Sequence, residues 1–241
     1  MKATNAPYSF DESLKRLDEI LDAADESFEE VDSIPSRDRL TFTNGFYCYC
    51  AALFMDIRKS SELNQTLKRP TLSRLYRAYI SEAVAVVNGN PKCAEVNIVG
   101  DSVSGIFDTP LKADIDSVFS TAAELSSLIK TLNCKMKKRQ MPAIRVGIGM
   151  SFGRALMIKA GFSGSAINDV VWIGPVVNEA AHLGSYGNKE FGDEEMMASN
   201  VFYQNLNDRN KTLLSYNSRR GCYHGNVVNT VMEQWYKTNC A

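Results

Sequence analysis

The sequence predicts an α+β fold with strand and helix order β-α-β-β-α-β, preceded by a helix and followed by additional edge strands. Three observations carry this expectation. The run from Phe46 to Ile57 is almost continuously apolar and aromatic, as suits a central strand covered on both faces. The runs Ala94 to Val99 and Val103 to Phe107 are separated only by Gly100 and Asp101, a hairpin signal. Helical periodicity lies on either side of that hairpin, which gives the split order of a ferredoxin-like core.

The elements follow in chain order. Ser9 and Glu12 form a capping pair, and Phe10, Leu14, Leu17, Leu21, Ala24 and Phe28 recur at spacings of four and three. That predicts an amino-terminal helical segment over 1–36, with Pro35 and the Arg37, Asp38, Arg39 cluster as a linker to a second domain over 37–241. After the first strand, Pro70 and Thr71 open a helix through Leu75, Tyr79, Ala83 and Val87 that closes at Asn88 to Pro91. Beyond the hairpin, a helix is expected over Ile115 to Leu132. It is followed by a basic loop (Lys135, Lys137, Lys138, Arg139) and two strands, Ala143 to Met150 and Gly153 to Ala160. A Gly/Ser-rich loop from Gly161 to Gly164 precedes a strand over Val170 to Ile173 and a helix over Val177 to Leu183. Leu213 to Tyr216 and Tyr223 to Trp235 read as edge strands.

Composition removes several classes of function. With 27 Lys plus Arg against 28 Asp plus Glu, the chain lacks the basic excess that duplex binding requires, so no nucleic-acid partner is expected. A hydrophobic content of 44% excludes a largely disordered chain. No apolar run is long enough for a membrane span, and residues 1–11 lack the apolar core of a secretion signal, so a cytoplasmic location without membrane attachment is expected. The six cysteines contain no C-x-x-C pair and read as buried free thiols. His182 and His224 are the only histidines, too few for a multi-histidine metal site.

Two acidic residues stand where apolar strands stop: Asp56 in Phe54-Met55-Asp56-Ile57, and Asp101 in the hairpin. In the predicted topology the first strand and the hairpin are neighbours, so the two carboxylates can meet. Adjacent carboxylates repel unless a cation lies between them, which suits Mg²⁺ or Mn²⁺ with an incoming polyphosphate.

At these residues the chain resembles the class III nucleotidyl cyclases. The resemblance spans roughly Tyr47 to Leu183. It rests on Phe54-Met55-Asp56-Ile57, Val99-Gly100-Asp101-Ser102, Arg145-Val146-Gly147-Ile148-Gly149 and Trp172-Ile173-Gly174-Pro175-Val176-Val177-Asn178, in the family's order and spacing. It implies a homodimer with active sites at the interface and two divalent cations, Mn²⁺ or Mg²⁺, per site. Asp56 and Asp101 match the metal ligands, with the Ile57 carbonyl as a third. Asn178 matches the asparagine that orients the ribose. Where the family has an arginine four residues later, this chain has His182, and Arg58 and Arg145 are the candidates to replace its charge.

The substrate-binding expectation names Phe54, Lys59, Asn97, Val171 and Tyr49. Arg58-Lys59-Ser60-Ser61 replaces the family's Gly-Phe-Thr and brings positive charge toward the triphosphate. Asn97 and Val171 stand at the two base-reading positions and lack the charge and polarity of a purine reader. The chain looks most like the stand-alone pyrimidine cyclases of bacterial anti-phage (Pycsar) operons, through Gly45-Phe46-Tyr47 and Asp56-Ile57-Arg58. That likeness implies conversion of UTP to cyclic UMP as a messenger for a separate effector protein. A cytidylate cyclase and an inactive nucleotide-binding module are the alternatives.

Overall fold

The computed structural model describes residues 2–163 and 167–240. Helix α1 (Phe10–Leu21) begins at Ser9, whose hydroxyl accepts the Glu12 amide. It stops well short of Phe28, which opens strand β1 (Phe28–Glu30) parallel to β2 (Gly45–Ile57). Residues on both sides of position 36 hold the sheet. The Ser33 hydroxyl and the Ile34 amide donate to Asp108 at 2.5 and 2.9 Å, and Arg37 pairs with Glu95 and Asp169.

After β2 come α2 (Ser60–Thr66), too short to leave a periodic signal, and α3 (Arg69–Gly89). Strands β3 (Cys93–Val99) and β4 (Ser102–Asp108) form the expected hairpin. Val99 lies opposite Ser102, and Gly100 takes the positive φ of 63° that the tight turn demands. Helix α4 (Lys112–Lys137) is longer than predicted and absorbs Lys135 and Lys137 into its last turn, where cations suit the carbonyl end. Strand β5 (Val146–Gly161) is a single strand of 16 residues where two were expected, because Ser151 and Phe152 continue the pairing with Ala52 and Ala51. Gly164 lies outside the described residues.

Strand β6 (Asn168–Ile173) and helix α5 (Pro175–Tyr186) match their predicted types. Three elements follow that carry no clear pattern: β7 (Met196–Ala198), α6 (Asn200–Asn205) and α7 (Asp208–Lys211). The tail differs from expectation. Strands β8 (Ser215–Asn217) and β9 (Cys222–Gly225) are short, and the rest of the predicted Tyr223 to Trp235 strand gives way to helix α8 (Thr230–Cys240). Asn229 takes over here, its side chain accepting the Val231 and Met232 amides at 3.0 and 3.1 Å and so capping a helix start.

The sheet order is β3-β4-β2-β5-β7-β9-β8, with β1 on β2 and β6 on β5. Alternation along β2 divides the core. Ala51, Leu53, Met55 and Ile57 bury against α3 and α4 through Leu75, Tyr79, Val118 and Phe119. Phe46, Cys48, Cys50 and Ala52 face the other way, against Trp172, Val176 and Ala180. On that second face α5 presses onto β5 at backbone distance. A Cβ added at Gly149 would stand 2.1 Å from both the Ala180 carbonyl oxygen and the Gly184 nitrogen. Neither backbone atom can yield, so Gly149→Ala is expected to cost about 3 kcal/mol or more, at the upper end of overpacking effects. A denaturation midpoint within error of the unmodified protein would contradict this account.

Two cysteines depart from the free-thiol expectation. Cys134 of α4 and Cys240 of α8 form a disulfide across a sequence separation of 106, while Cys48, Cys50, Cys93 and Cys222 remain free. Among the described residues, no helix is long and apolar enough to cross a membrane.

Candidate active site

The strand register brings the two acids together. Met55 pairs with Val103, so the next residue of β2, Asp56, draws level with the Gly100-Asp101 turn, while Gly147 lies on its other side in β5. The missing side chain at Gly147 leaves room for α5: a Cβ there would stand 2.2 Å from the Gly184 carbonyl. Burial, and then the negative charge of Asp101, push the Asp56 carboxyl up to about 6, against the lowering influence of Arg58. Asp101 Oδ2 is enclosed and has no hydrogen-bond partner among the described residues. The paired charges extend to the neighbouring Tyr79, whose phenol is pushed up by burial first and then by Asp56 and Asp101.

An orphaned carboxylate oxygen beside a second carboxylate fits a divalent cation, because a cation removes both the repulsion and the unmet acceptor. Among the described residues no group of three or more His, Cys, Asp or Glu side chains is placed to hold a metal. A cation held here would have two carboxylates and backbone oxygen as protein donors, leaving substrate phosphates and water to complete the shell in the manner usual for Mg²⁺ and Mn²⁺. Ile57 is 2% exposed and its side chain lies in the core, so only its backbone carbonyl could take that role.

The remaining predicted residues divide into two groups. Arg58 joins the pair directly: Nη2 donates to Asp56 Oδ2 at 3.0 Å and Nη1 to the Ser185 carbonyl at 2.7 Å. Phe54, Ser104 and Asn97 occupy one cross-strand row two residues from Asp56, so Phe54 and Asn97 share the Asp56 face of the sheet. Lys59, in the left-handed conformation at φ 57°, is exposed and pairs with Glu62 at 3.2 Å. Asn178 and His182, four residues apart on α5, are exposed opposite the buried Val176, Ala180, Leu183 and Gly184. The His182 ring lies 4.6 Å from that of Tyr186.

Tyr49 and Val171 are not brought to the carboxylates. Tyr49 is seven residues up the strand, about 23 Å at strand rise, on the opposite face beside Phe152. Val171 pairs with Ile158 on the far half of β5 and is exposed. Arg145 is likewise engaged away from the pair, its Nη2 donating to Asn188 Oδ1 at 2.9 Å. Ser185, which anchors Arg58, and Lys189, which borders the same region, left no signal in the sequence, because both act through a helix end whose position depends on tertiary packing.

This combination of split sheet, hairpin carboxylate pair and close-packed α5 defines the catalytic fold of the class III cyclases. An adenylyl cyclase of P. aeruginosa shares the fold with a TM-score of 0.60 at 21% identity, over 71% of this chain and 85% of that one. No protein-family model matches the chain. A uridylate cyclase of Gulbenkiania mobilis is 38% identical over 99% of this chain and 100% of its own length, and one of Treponema porcinum is 37% identical over 95% and 80%. The chain belongs to the nucleotidyl cyclase family of these uridylate cyclases, and it shares the fold of the class III cyclases.

Proposed function

We propose that this chain converts UTP to 3′,5′-cyclic UMP and pyrophosphate, acting as a homodimer. The observation that carries the chemistry is the Asp56 and Asp101 pair with its orphaned oxygen. The uridylate substrate is supported by two relatives of that name aligned over nearly the whole chain. Bound at that pair, two divalent cations would activate the 3′-hydroxyl and stabilise the leaving pyrophosphate. Phe54 and Asn97 line the same face, and the Asn97 amide, with both a donor and an acceptor, suits the polar edge of a pyrimidine.

The dimer reading rests on the family resemblance. Asn178 is exposed and precedes Ser185, whose carbonyl holds Arg58, by seven residues, about 10 Å of helix rise. Asn178 and His182 then serve a partner's substrate, Asn178 orienting the ribose and His182 facing the charge that develops on the phosphates. The likeness to anti-phage pyrimidine cyclases supports a messenger role for the product, read by a separate effector in antiviral defence.

The purified protein incubated with Mn²⁺ and UTP, CTP, ATP or GTP in turn, with products identified by mass, is expected to yield cyclic UMP. Dominant cyclic CMP would overturn the uridylate assignment, and no product from any triphosphate would overturn the cyclase reading. Asn97→Ala is expected to reduce discrimination between UTP and CTP at least roughly tenfold, the value of one well-made polar contact, with unchanged Mn²⁺ dependence. An unaltered preference would remove Asn97 from the base pocket.

A further inference from the structure

Arg58, which holds Asp56, also borders a cleft of about 540 Å³ together with Lys59, Glu62, Arg145 and Lys189. Four of these side chains are cationic and one is acidic. Lys59 is paired with Glu62, and Arg145 is held by the neutral Asn188, so net positive charge remains to meet an anion. Arg58 belongs to both places at once. It borders the cleft, yet its guanidinium is spent on Asp56 and the Ser185 carbonyl, and its Nε is enclosed without an acceptor. The Arg58 side chain is 13% exposed. An arginine so placed has a donor to gain from an arriving oxygen and a fork that matches phosphate oxygens two at a time.

We propose that Arg58 passes from Asp56 to the polyphosphate of an arriving nucleotide, so that polyphosphate anion and divalent cation bind with positive coupling. The inference rests on the reading of Asp56 as a cation ligand. While Arg58 holds Asp56, a cation arriving at that carboxylate meets a guanidinium already in its place. Once Arg58 turns to phosphate oxygens, Asp56 is free. The same exchange runs in reverse, because coupling between two ligands is reciprocal. A nucleoside triphosphate supplies its own anion, so the substrate primes the metal site, and free cation without substrate finds that site closed.

Two calorimetric titrations on the full chain test this, each with one ligand alone so that chelation between them does not intervene. Titrated with Mn²⁺ in the absence of any phosphate, Arg58→Gln is expected to bind at least roughly fivefold more tightly than the unmodified protein, the lower end of ordinary coupling. Arg58→Lys, which keeps the charge, is expected to bind Mn²⁺ as weakly as the unmodified protein. Titrated with inorganic pyrophosphate in EDTA, Arg145→Gln and Arg58→Gln are expected to bind more weakly. Asp56→Asn, which releases Arg58, is expected to bind at least fivefold more tightly. Asp101→Asn removes the same charge without touching Arg58 and is expected to change pyrophosphate affinity less than twofold. Equal gains in Asp56→Asn and Asp101→Asn, or equal Mn²⁺ affinity with and without Arg58, would overturn the proposal. Failure of every protein to bind Mn²⁺, even with UTP present, would instead overturn the metal assignment on which it rests.

Discussion

Asp101→Ala is expected to abolish cyclic-nucleotide formation while leaving the fold intact or slightly more stable. The two halves of this expectation come from one fact. Asp101 Oδ2 is enclosed without a partner among the described residues, and burial, reinforced by the Asp101 charge, lifts the neighbouring Asp56 carboxyl to about 6, so in the absence of a cation the pair opposes folding. Removing one member removes that opposition. Catalysis responds in the other direction, because a metal stabilises several kcal/mol of transition-state charge, and about 4 kcal/mol corresponds to roughly a thousandfold in rate. Asp56→Ala is expected to lose activity similarly, but with less gain in stability, since it also frees Arg58 from an ion pair. Rates measured with Mn²⁺ and the chosen triphosphate, alongside thermal unfolding without metal, separate the two effects. Near-normal turnover in either variant would falsify the carboxylate assignment.

The central part of this architecture was legible because its signals are local and strong. The β2 run is apolar on both faces because it is buried on both faces, and the Gly100-Asp101 turn is short because two paired strands must reverse there. Gly147 and Gly149 carry a signal that only the structure explains: the alternating glycines leave a bare strand on which α5 rests backbone to backbone. Strand pairing draws Asp56 level with the Asp101 turn and puts Phe54 and Asn97 on the Asp56 face of the sheet. Tyr49 does not, because an odd number of residues from Asp56 places it on the other face of the sheet, a consequence of the strand's period of two. The tail was less legible. Strands of three and four residues show no useful alternation, and the order β7-β9-β8 is set by contacts distant in sequence. The disulfide was missed for a related reason: Cys134 and Cys240 meet only because α8 packs back along α4.

That tail is held by a second charge cluster, and Asp193→Asn is expected to be among the most destabilising single substitutions in the chain. The Asp193 side chain is fully buried, and it accepts from Arg219 Nη2 at 2.6 Å and Arg220 Nη2 at 2.7 Å. Its Oδ2 also accepts the Glu190 amide at 3.1 Å, and Asn217 donates to Oδ1 at 3.3 Å. Burial alone would raise the carboxyl, but the Arg220 and Arg219 hydrogen bonds outweigh it and hold Asp193 well below the usual carboxylate range. Through these bonds one side chain ties the β8-β9 turn to the loop that follows α5. An amide in its place keeps the shape and loses the charge, which leaves two guanidinium groups with, among the described residues, only Glu190 as a charged partner. Breaking a buried pair in this way costs about 3–5 kcal/mol, and each kcal/mol lowers the melting temperature of a chain this size by roughly 2–4 °C. A fall on the order of 10 °C is therefore expected at neutral pH. The sign of the pH dependence follows from the lowered pKa: the stabilisation is complete above the ordinary aspartate range and is lost as pH falls through that range toward the folded value. Below it the unmodified protein and Asp193→Asn should converge in stability. A constant gap between their melting temperatures from neutral pH down through the ordinary aspartate range would show that the charge of Asp193 is not what holds the tail.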